Sequence, residues 1–480
     1  IVNLMAAWRD QLLEVLGAMG MREVRRLRGE LGRSIFQSKE EETFQALLGE
    51  VVRGHAGAQA PEPGDGELEG DLRWPTPLIL STAEQARTGR PPQSDLEYRV
   101  GRSGGGFDRM RFQFELDSDL GPDDWPALSR YATKESACAA GELDLSLELN
   151  RRDGRPRISI PHPWYGAGMS FGSISLSTMI GRARAAQYWD SFTSTGEGGY
   201  PDGLHPYEDH IITQIATGLF GVREETIQRA RIVEFKYAQG AKPGLGGHLL
   251  GSKVTRAVAE MREAVEGTSL FSPFPFHSVY SVEDHKKHVD WVKTVNPQAL
   301  ISVKVSTPTD VDMVAVGSYY AGAHIVHLDG AYGGTGAAPE IAKKNIAMPL
   351  EYAIPKVHHF LESEGIRDEV VLMASGGVRT AFDVAKAIAL GADGCVIGTA
   401  DLIALGCVRL GTCEREKGCP FGIATTDEEL ASQVDPVEAG QRIANLYGSW
   451  RIQMAGILTR LELGSTRELR GRTDLLAYLA

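Results

Sequence analysis

Three cysteines, Cys407, Cys413 and Cys419, stand near the C-terminus with five residues between each pair, and Pro420 follows the last. A thiolate is a soft ligand suited to iron or zinc. Structural zinc takes four ligands, and no histidine occurs in 401–480 to complete such a set. An iron–sulfur cluster held by three cysteines accounts better for the pattern. Cysteines that merely fill a core are common, and Cys138 and Cys395 read that way. Three thiols within thirteen residues, among glycine and charged neighbours, form a denser signal.

Two glycine turns lie just upstream. Val370–Ser375 reads as a buried strand that runs into Gly376 and Gly377. A helix over Ala381–Leu390 is expected next, then a second apolar run, Cys395–Ile397, that ends in Gly398 and Thr399. A phosphate is held by backbone N–H groups and a helix N-terminus, and glycine lets the backbone come that close. Single βα turns often carry glycine for no other reason than the turn. Two at consecutive strand ends favour a phosphate held by Ser375, Gly376, Gly377, Gly398 and Thr399.

A third group is polar. Glu197 sits in Thr195-Gly196-Glu197-Gly198-Gly199, where glycines leave the carboxylate uncovered. Lys236, Gln239 and Lys242 recur at every third residue, and Lys304 ends the apolar run Ile301-Ser302-Val303-Lys304. Taken singly, such lysines are usually solvated. A lysine at the C-terminal end of a barrel strand points to where ligands bind. Cations there suit a dicarboxylate or the anionic N1/O2 edge of a flavin.

These residues need elements to carry them. Ile232–Phe235, Leu300–Val305, Ile325–Leu328, Val370–Met373 and Cys395–Ile397 are short apolar runs, each followed by a loop and a helical stretch. Alternating β and α over about 270 residues predicts an α/β fold, a (β/α)8 TIM barrel. A doubly wound sheet is the competitor, weakened by the lack of GxGxxG after a first strand. The barrel is expected over 156–440, with the iron–sulfur loop at 407–419. A lead-in subdomain (73–155) and a Pro/Gly/acidic linker (56–72) precede it, and a helical closure (441–480) follows. The N-terminal helical segment, 1–55, opens with a repeat: residues 1–30 align with 443–472 without a gap. Asn3/Asn445, Trp8/Trp450, Arg9/Arg451 and Gln11/Gln453 coincide. Two amphipathic helices could converge on this, but the shared residues include Trp and polar positions. The expectation is that 1–55 is the tail of an upstream barrel copy, in a chain that is a fragment of a longer protein.

The bulk composition sets limits. Of 480 residues, 42% are hydrophobic, enough for a sizeable core, and the formal charge of −13 argues against non-specific nucleic-acid binding. No apolar run reaches the roughly 18 residues of a spanning helix. Five cysteines in so long a chain do not form a disulfide framework, so a reducing, cytoplasmic setting is expected.

The motifs AGMSFGSIS (167–175), TSTGEGG (193–199), QIATGLFGV (214–222), KYAQGAKPGLGG (236–247), ISVKV (301–305), GGTGAAP (333–339) and CVRLGTCEREKGCPFGIAT (407–425) occur in this order. Together they resemble the flavin domain of the glutamate synthases. The resemblance implies a (β/α)8 barrel with FMN and a 3Fe-4S cluster. The cluster would feed electrons to FMN, and the flavin would reduce the imine of 2-oxoglutarate and ammonia to L-glutamate. Met169, Ser170, Ser173 and Thr195 would line the flavin. Gln214 and Lys304 would touch its ring system, Gly376, Gly377, Gly398 and Thr399 its phosphate. Glu197, Lys236, Gln239 and Lys242 would face substrate, and Cys407, Cys413 and Cys419 would hold the cluster.

Three motifs depart from the family pattern. The last two cysteines have five residues between them where four are usual. Tyr200 replaces the second glutamate of TGEGGE, and Leu245 and His248 alter PGEGGQ. The last two changes border the substrate side, so an alkylamine in place of ammonia, giving an N-substituted glutamate, is an alternative. An FMN-dependent 2-hydroxy-acid oxidoreductase, with His324 or His327 as base, is another, and an electron-relay subunit a third. The resemblance also implies partners: an ammonia-supplying amidotransferase, and ferredoxin or a separate reductase as electron donor.

Overall fold

The computed structural model describes residues 143–479 except 245, 274–275, 337–342, 344–345 and 414–416, and parts of the preceding chain, chiefly 40–48, 51–52, 73–92, 106–114 and 125–133. The linker 56–72, Cys138, Leu245, the end of the GGTGAAP motif and most of the first repeat copy lie outside the described residues.

Eight parallel strands form one sheet. In chain order they are β1 (Trp164–Gly166), β2 (Thr193–Ser194), β3 (Ile211–Ala216), β4 (Ile232–Lys236), β5 (Leu300–Ser306), β6 (Ile325–Asp329), β7 (Val371–Ser375) and β8 (Gly394–Ile397). Each pairs with the next from β2 to β8, and β8 pairs back to β1 through Ile397 and Gly166. Gly166 N donates to Phe192 O at 2.8 Å, and Gly168 bridges Ser194 in parallel, so the ring closes between β1 and β2. This is the (β/α)8 barrel that the alternation of strand and helix predicts.

Strands β5, β6 and β7 are buried at every residue, which explains their near-continuous apolar runs. Strands β1 to β3 were not anticipated. β1 and β2 are only three and two residues long, and Thr213-Gln214 interrupts the apolar run of β3. β7 ends at Ser375, directly against the glycine pair, as its apolar run predicts.

The barrel interior is stratified. At the N-terminal ends Ile232, Leu300, Ile325 and Val371 pack with Tyr165, Met373 and Val396. The antiparallel pair Leu147–Glu148 and Ser159–Ile160 adds Leu147 and Ile160 to the same cluster and forms its floor. One or two interior positions further along β3 to β7 the side chains become polar, as at Gln214, Glu234, Ser302, His327 and Ser375. That change of layer puts buried polar side chains at the C-terminal mouth.

Outside the ring, the helix Leu176–Trp189 starts on a Ser175 cap, and Ala381–Ala389 starts on a Thr380 cap. The long helix Pro436–Arg460 begins with an Asp435 cap and Pro436 in its first turn. It meets Leu176–Trp189 so closely that a Cβ on Gly181 would lie 2.5 Å from Ala439 Cβ. Trp450 on this helix is buried, whereas Trp8, its partner in the repeat, is 57% exposed.

The chain before the barrel packs on the same core. Trp74, Leu78, Phe107, Met110 and Tyr131 share a cluster with Val384, Ile388, Leu446 and Trp450. Strand Leu476–Leu479 pairs antiparallel with Met110–Phe112 and parallel with Val51–Val52. Arg379, buried just past β7, bonds Asp108 at 3.1 Å and Asp383 at 3.0 Å. Among the described residues no helix is long and apolar enough to cross a membrane.

Candidate active site

The mouth of the barrel carries a connected run of buried polar side chains. Gln214 Nε2 donates to Glu234 Oε1 at 2.7 Å, and Ser302 Oγ donates to Glu234 Oε2 at 2.9 Å. His327 Nδ1 stands 3.0 Å from Glu234 Oε2, and its Nε2 stands 2.7 Å from Ser375 Oγ. Ser375 gives its one proton to Asp329 Oδ1 at 2.5 Å, so its oxygen accepts from His327 Nε2. Asp329 Oδ2 accepts from Gly240 N at 3.0 Å and lies 3.4 Å from Lys304 Nζ. Burial raises the Glu234 carboxyl, but His327, Lys304 and the Gln214 bond outweigh it and bring it down to about 2. Asp329 is likewise lowered, with Lys304 and His327 overcoming burial.

Three of the predicted residues, Gln214, Lys304 and Ser375, belong to this run. Glu234, Ser302 and Asp329 were missed, and His327 was read only as a possible base. Each sits at the inward phase of an otherwise apolar strand, as in Val233-Glu234-Phe235. A charge at that phase of a buried strand was the available signal.

A second group forms where β2 and β4 end. Lys236 Nζ donates to Glu197 Oε1 at 2.8 Å and to Gln239 Oε1 at 3.3 Å. Burial raises Glu197, yet Lys236, Lys242 and Arg262 together hold it below the ordinary carboxylate range. Arg262, another residue the sequence did not reveal, donates to Ser170 Oγ at 3.0 Å and Phe171 O at 2.9 Å. A Cβ on Gly247 would meet Glu197 Oε1 at 2.3 Å, so the glycine is what lets this loop close on the carboxylate.

The loop after β1 joins the two ends of the mouth. Ser170 and Met169 lie against Gly196, and Met169 Cε is 3.6 Å from the Cβ position of Gly398. Ser173 Oγ donates to Ser170 O at 2.7 Å. Thr195 Oγ1 donates to Gly196 O at 2.8 Å and accepts from Gln214 N at 3.2 Å, which fixes the end of β2 beside β3.

The glycine turns close β7 and β8. Gly376 has φ 102° and Gly377 φ 107°, a region costly for other residues. A Cβ on Gly376 would lie 2.5 Å from Gly330 O. Gly398 precedes the short helix Thr399–Ala404, whose first N–H groups have no partner within the helix. Glycine backbone at both turns suits the close approach that a phosphate needs.

The cysteine loop follows that helix. Cys407, Cys413 and Cys419 all pack into one apolar cluster with Ile423 and Ala424, and Met169 and Phe171 of the β1 loop border the same cluster. Burial raises the Cys407 thiol, Arg409 pulls it back, and Cys413 and Cys419 add to the rise. Three soft donors in one apolar pocket beside the barrel mouth fit an iron–sulfur group. Cys395, fully buried in β8, has its thiol pushed up by burial and stands apart from this loop.

Residues 130–463 match a family described as a conserved region in glutamate synthase. The archaeal glutamate synthase (NADPH) of Methanocaldococcus jannaschii is 42% identical over 322 residues, covering 67% of this chain and 63% of that protein. The archaeal-type glutamate synthase (NADPH) of Thermotoga maritima is 40% identical with the same coverage. The archaeal glutamate synthase (NADPH) of Archaeoglobus fulgidus is 39% identical over 430 residues, 86% of this chain and 82% of the other. The chain thus spans 63% of the length of the first two relatives.

Proposed function

Because the chain belongs to the glutamate synthase family, we propose that it is an oxidoreductase that makes L-glutamate from 2-oxoglutarate and ammonia, with FMN at the barrel mouth and a 3Fe-4S cluster on Cys407, Cys413 and Cys419. The observation that carries this reading is the meeting of three groups at one barrel end. The glycine turns, the Glu197–Lys236 pair and the cysteine loop are all joined there by the loop that holds Met169. When bound, the flavin would supply hydride to the imine carbon, with electrons drawn from the cluster.

The chain's own residues have separable tasks. Gly376, Gly377, Gly398 and Thr399 bind phosphate through backbone N–H groups. The Lys304 ammonium, held by Asp329, would be the cation available to the electron-rich edge of the ring system. Met169, Ser170, Ser173, Thr195 and Gln214 shape the pocket around that ring. Lys236 and Lys242 set a positive field that suits a dicarboxylate. Lys236 Nζ shares its protons with Glu197 and Gln239 and is the donor to the oxygen that leaves as water.

The hydroxy-acid alternative requires a histidine open to substrate. His327 is 1% exposed and held between Glu234 and Ser375. His324 Nδ1 accepts from Ile301 N at 2.9 Å, and burial first, then nearby cations, take that histidine down to about 3. Both histidines are committed to the barrel wall, which favours the synthase reading. The NADPH in the relatives' names supports a separate reductase as electron donor, with ferredoxin the other option. Ammonia would come from an amidotransferase partner. Among the described residues no disulfide joins Cys395, Cys407, Cys413 or Cys419, in keeping with a reducing cytoplasm.

The test is spectral. Purified without oxygen, the protein should carry flavin, iron and sulfide. Its visible flavin band should bleach with a chemical reductant and return when 2-oxoglutarate and ammonia are added together. Recovery with neither ammonia nor an amine overturns the reading, and recovery with an alkylamine alone selects the N-substituted product.

A further inference from the structure

We propose that Arg73, which lies before the barrel, is a ligand of the flavin phosphate, so that the N-terminal segment completes the cofactor site. This rests on the flavin reading above. It goes beyond that reading because the phosphate grip there consists only of backbone turns.

The Arg73 guanidinium is buried, with the residue 3% exposed. It lies flat on the Tyr332 ring, 4.0 Å from the centroid. Its Nη2 is 3.1 Å from the Cβ position of Gly377, and Tyr332 Cβ is 2.9 Å from that same position. On the other side, a Cβ on Gly106 would lie 2.5 Å from Arg73 Nη1. Gly106 and Gly377 both have positive φ, 85° and 107°. The guanidinium therefore occupies a slot between two glycines and a tyrosine ring, against the turn that ends β7.

The segment that delivers it is firmly docked. Arg379 Nη1 donates to Arg73 O at 3.2 Å while pairing with Asp108 and Asp383. Gly106 N donates to Glu351 Oε1 at 2.6 Å. Arg379 pairs with two carboxylates, and the Arg73 guanidinium lies against Gly377. A planar guanidinium matches a phosphate with two parallel hydrogen bonds. Backbone N–H groups supply partial charge only, so a dianion at this turn gains most from a full cation beside it.

Riboflavin, which lacks the phosphate, separates this role from simple packing. The full chain, freed of flavin, would be titrated with FMN and with riboflavin while flavin fluorescence is followed. Wild type should prefer FMN. Arg73→Ala should weaken FMN binding on the order of 10- to 100-fold and leave riboflavin binding within about twofold, since only a charge-assisted contact is lost. Arg73→Lys should recover part of the loss. Unchanged FMN affinity in Arg73→Ala would overturn the inference while the flavin reading stands. Equal loss of both ligands would also overturn it, assigning Arg73 to packing alone. A wild-type chain that binds neither flavin would bring down the reading beneath it.

Discussion

Glu197 Oε1 and Lys236 Nζ are 2.8 Å apart, although their residues are 39 positions apart in the chain and on different strand ends. The two side chains are 13% and 11% exposed, so their attraction is little screened by water. Lys242 and Arg262 add to the positive field, and Glu197 stays ionised below the usual carboxylate range. Glu197→Gln removes the charge that holds Lys236. We expect kcat/KM for 2-oxoglutarate to fall at least about tenfold with flavin content unchanged. Steady-state kinetics beside a flavin absorbance spectrum checks both halves.

Glu234 links the fold to pH. Its carboxyl, ordinarily at 4.5, is brought to about 2 in the folded chain. A depressed folded value contributes stability that is complete above the unfolded value and is lost as pH falls through the folded one. Glu234→Gln should therefore cost about 3 kcal/mol at neutral pH. The gap between variant and wild type should close as pH drops from about 4.5 towards 2. Urea unfolding at several pH values measures it, and a gap that does not vary with pH would contradict the assignment.

The cysteines can be told apart by metal content. Serine at Cys407, Cys413 or Cys419 should each abolish bound iron and acid-labile sulfide while flavin remains. Cys395→Ser, at a buried position in β8, should leave iron per chain at the wild-type level. Colorimetric iron and sulfide assays on anaerobic protein decide this.

Gly376 is held to a conformation that other residues resist, with φ 102° and Gly330 O at 2.5 Å from the Cβ position. Gly376→Ala should destabilise the chain by about 1–3 kcal/mol and reduce flavin occupancy. Thermal melting with flavin release followed by fluorescence tests both outcomes.

Part of the candidate site was legible from the order of residues alone. Lys304, Ser375 and the glycine turns could be read because they end long apolar runs, and position along a barrel strand determines which end they face. Glu197 and Lys236 could be read as candidates, but nothing in their spacing said that they bond to each other. Glu234, Ser302 and Asp329 were hidden because each is a single polar residue inside an apolar strand. Strands β1 and β2 were hidden because three or two residues are too few to show a period of two. Arg262 and Arg73 reach the mouth from outside the strand pattern altogether.

By itself, the sequence determined the barrel, the end of it where the candidate residues gather, and the thiol set beside that end. These depend on local signals, namely apolar runs, glycine at turns, and cysteine spacing. Tertiary structure alone decided which charges neutralise which, and that His327 is bound between Glu234 and Ser375. It also decided that an arginine some 300 residues before Gly377 lies against that turn. Electrostatic energy depends on distance through space and on burial, and neither is written in the order of residues along a chain.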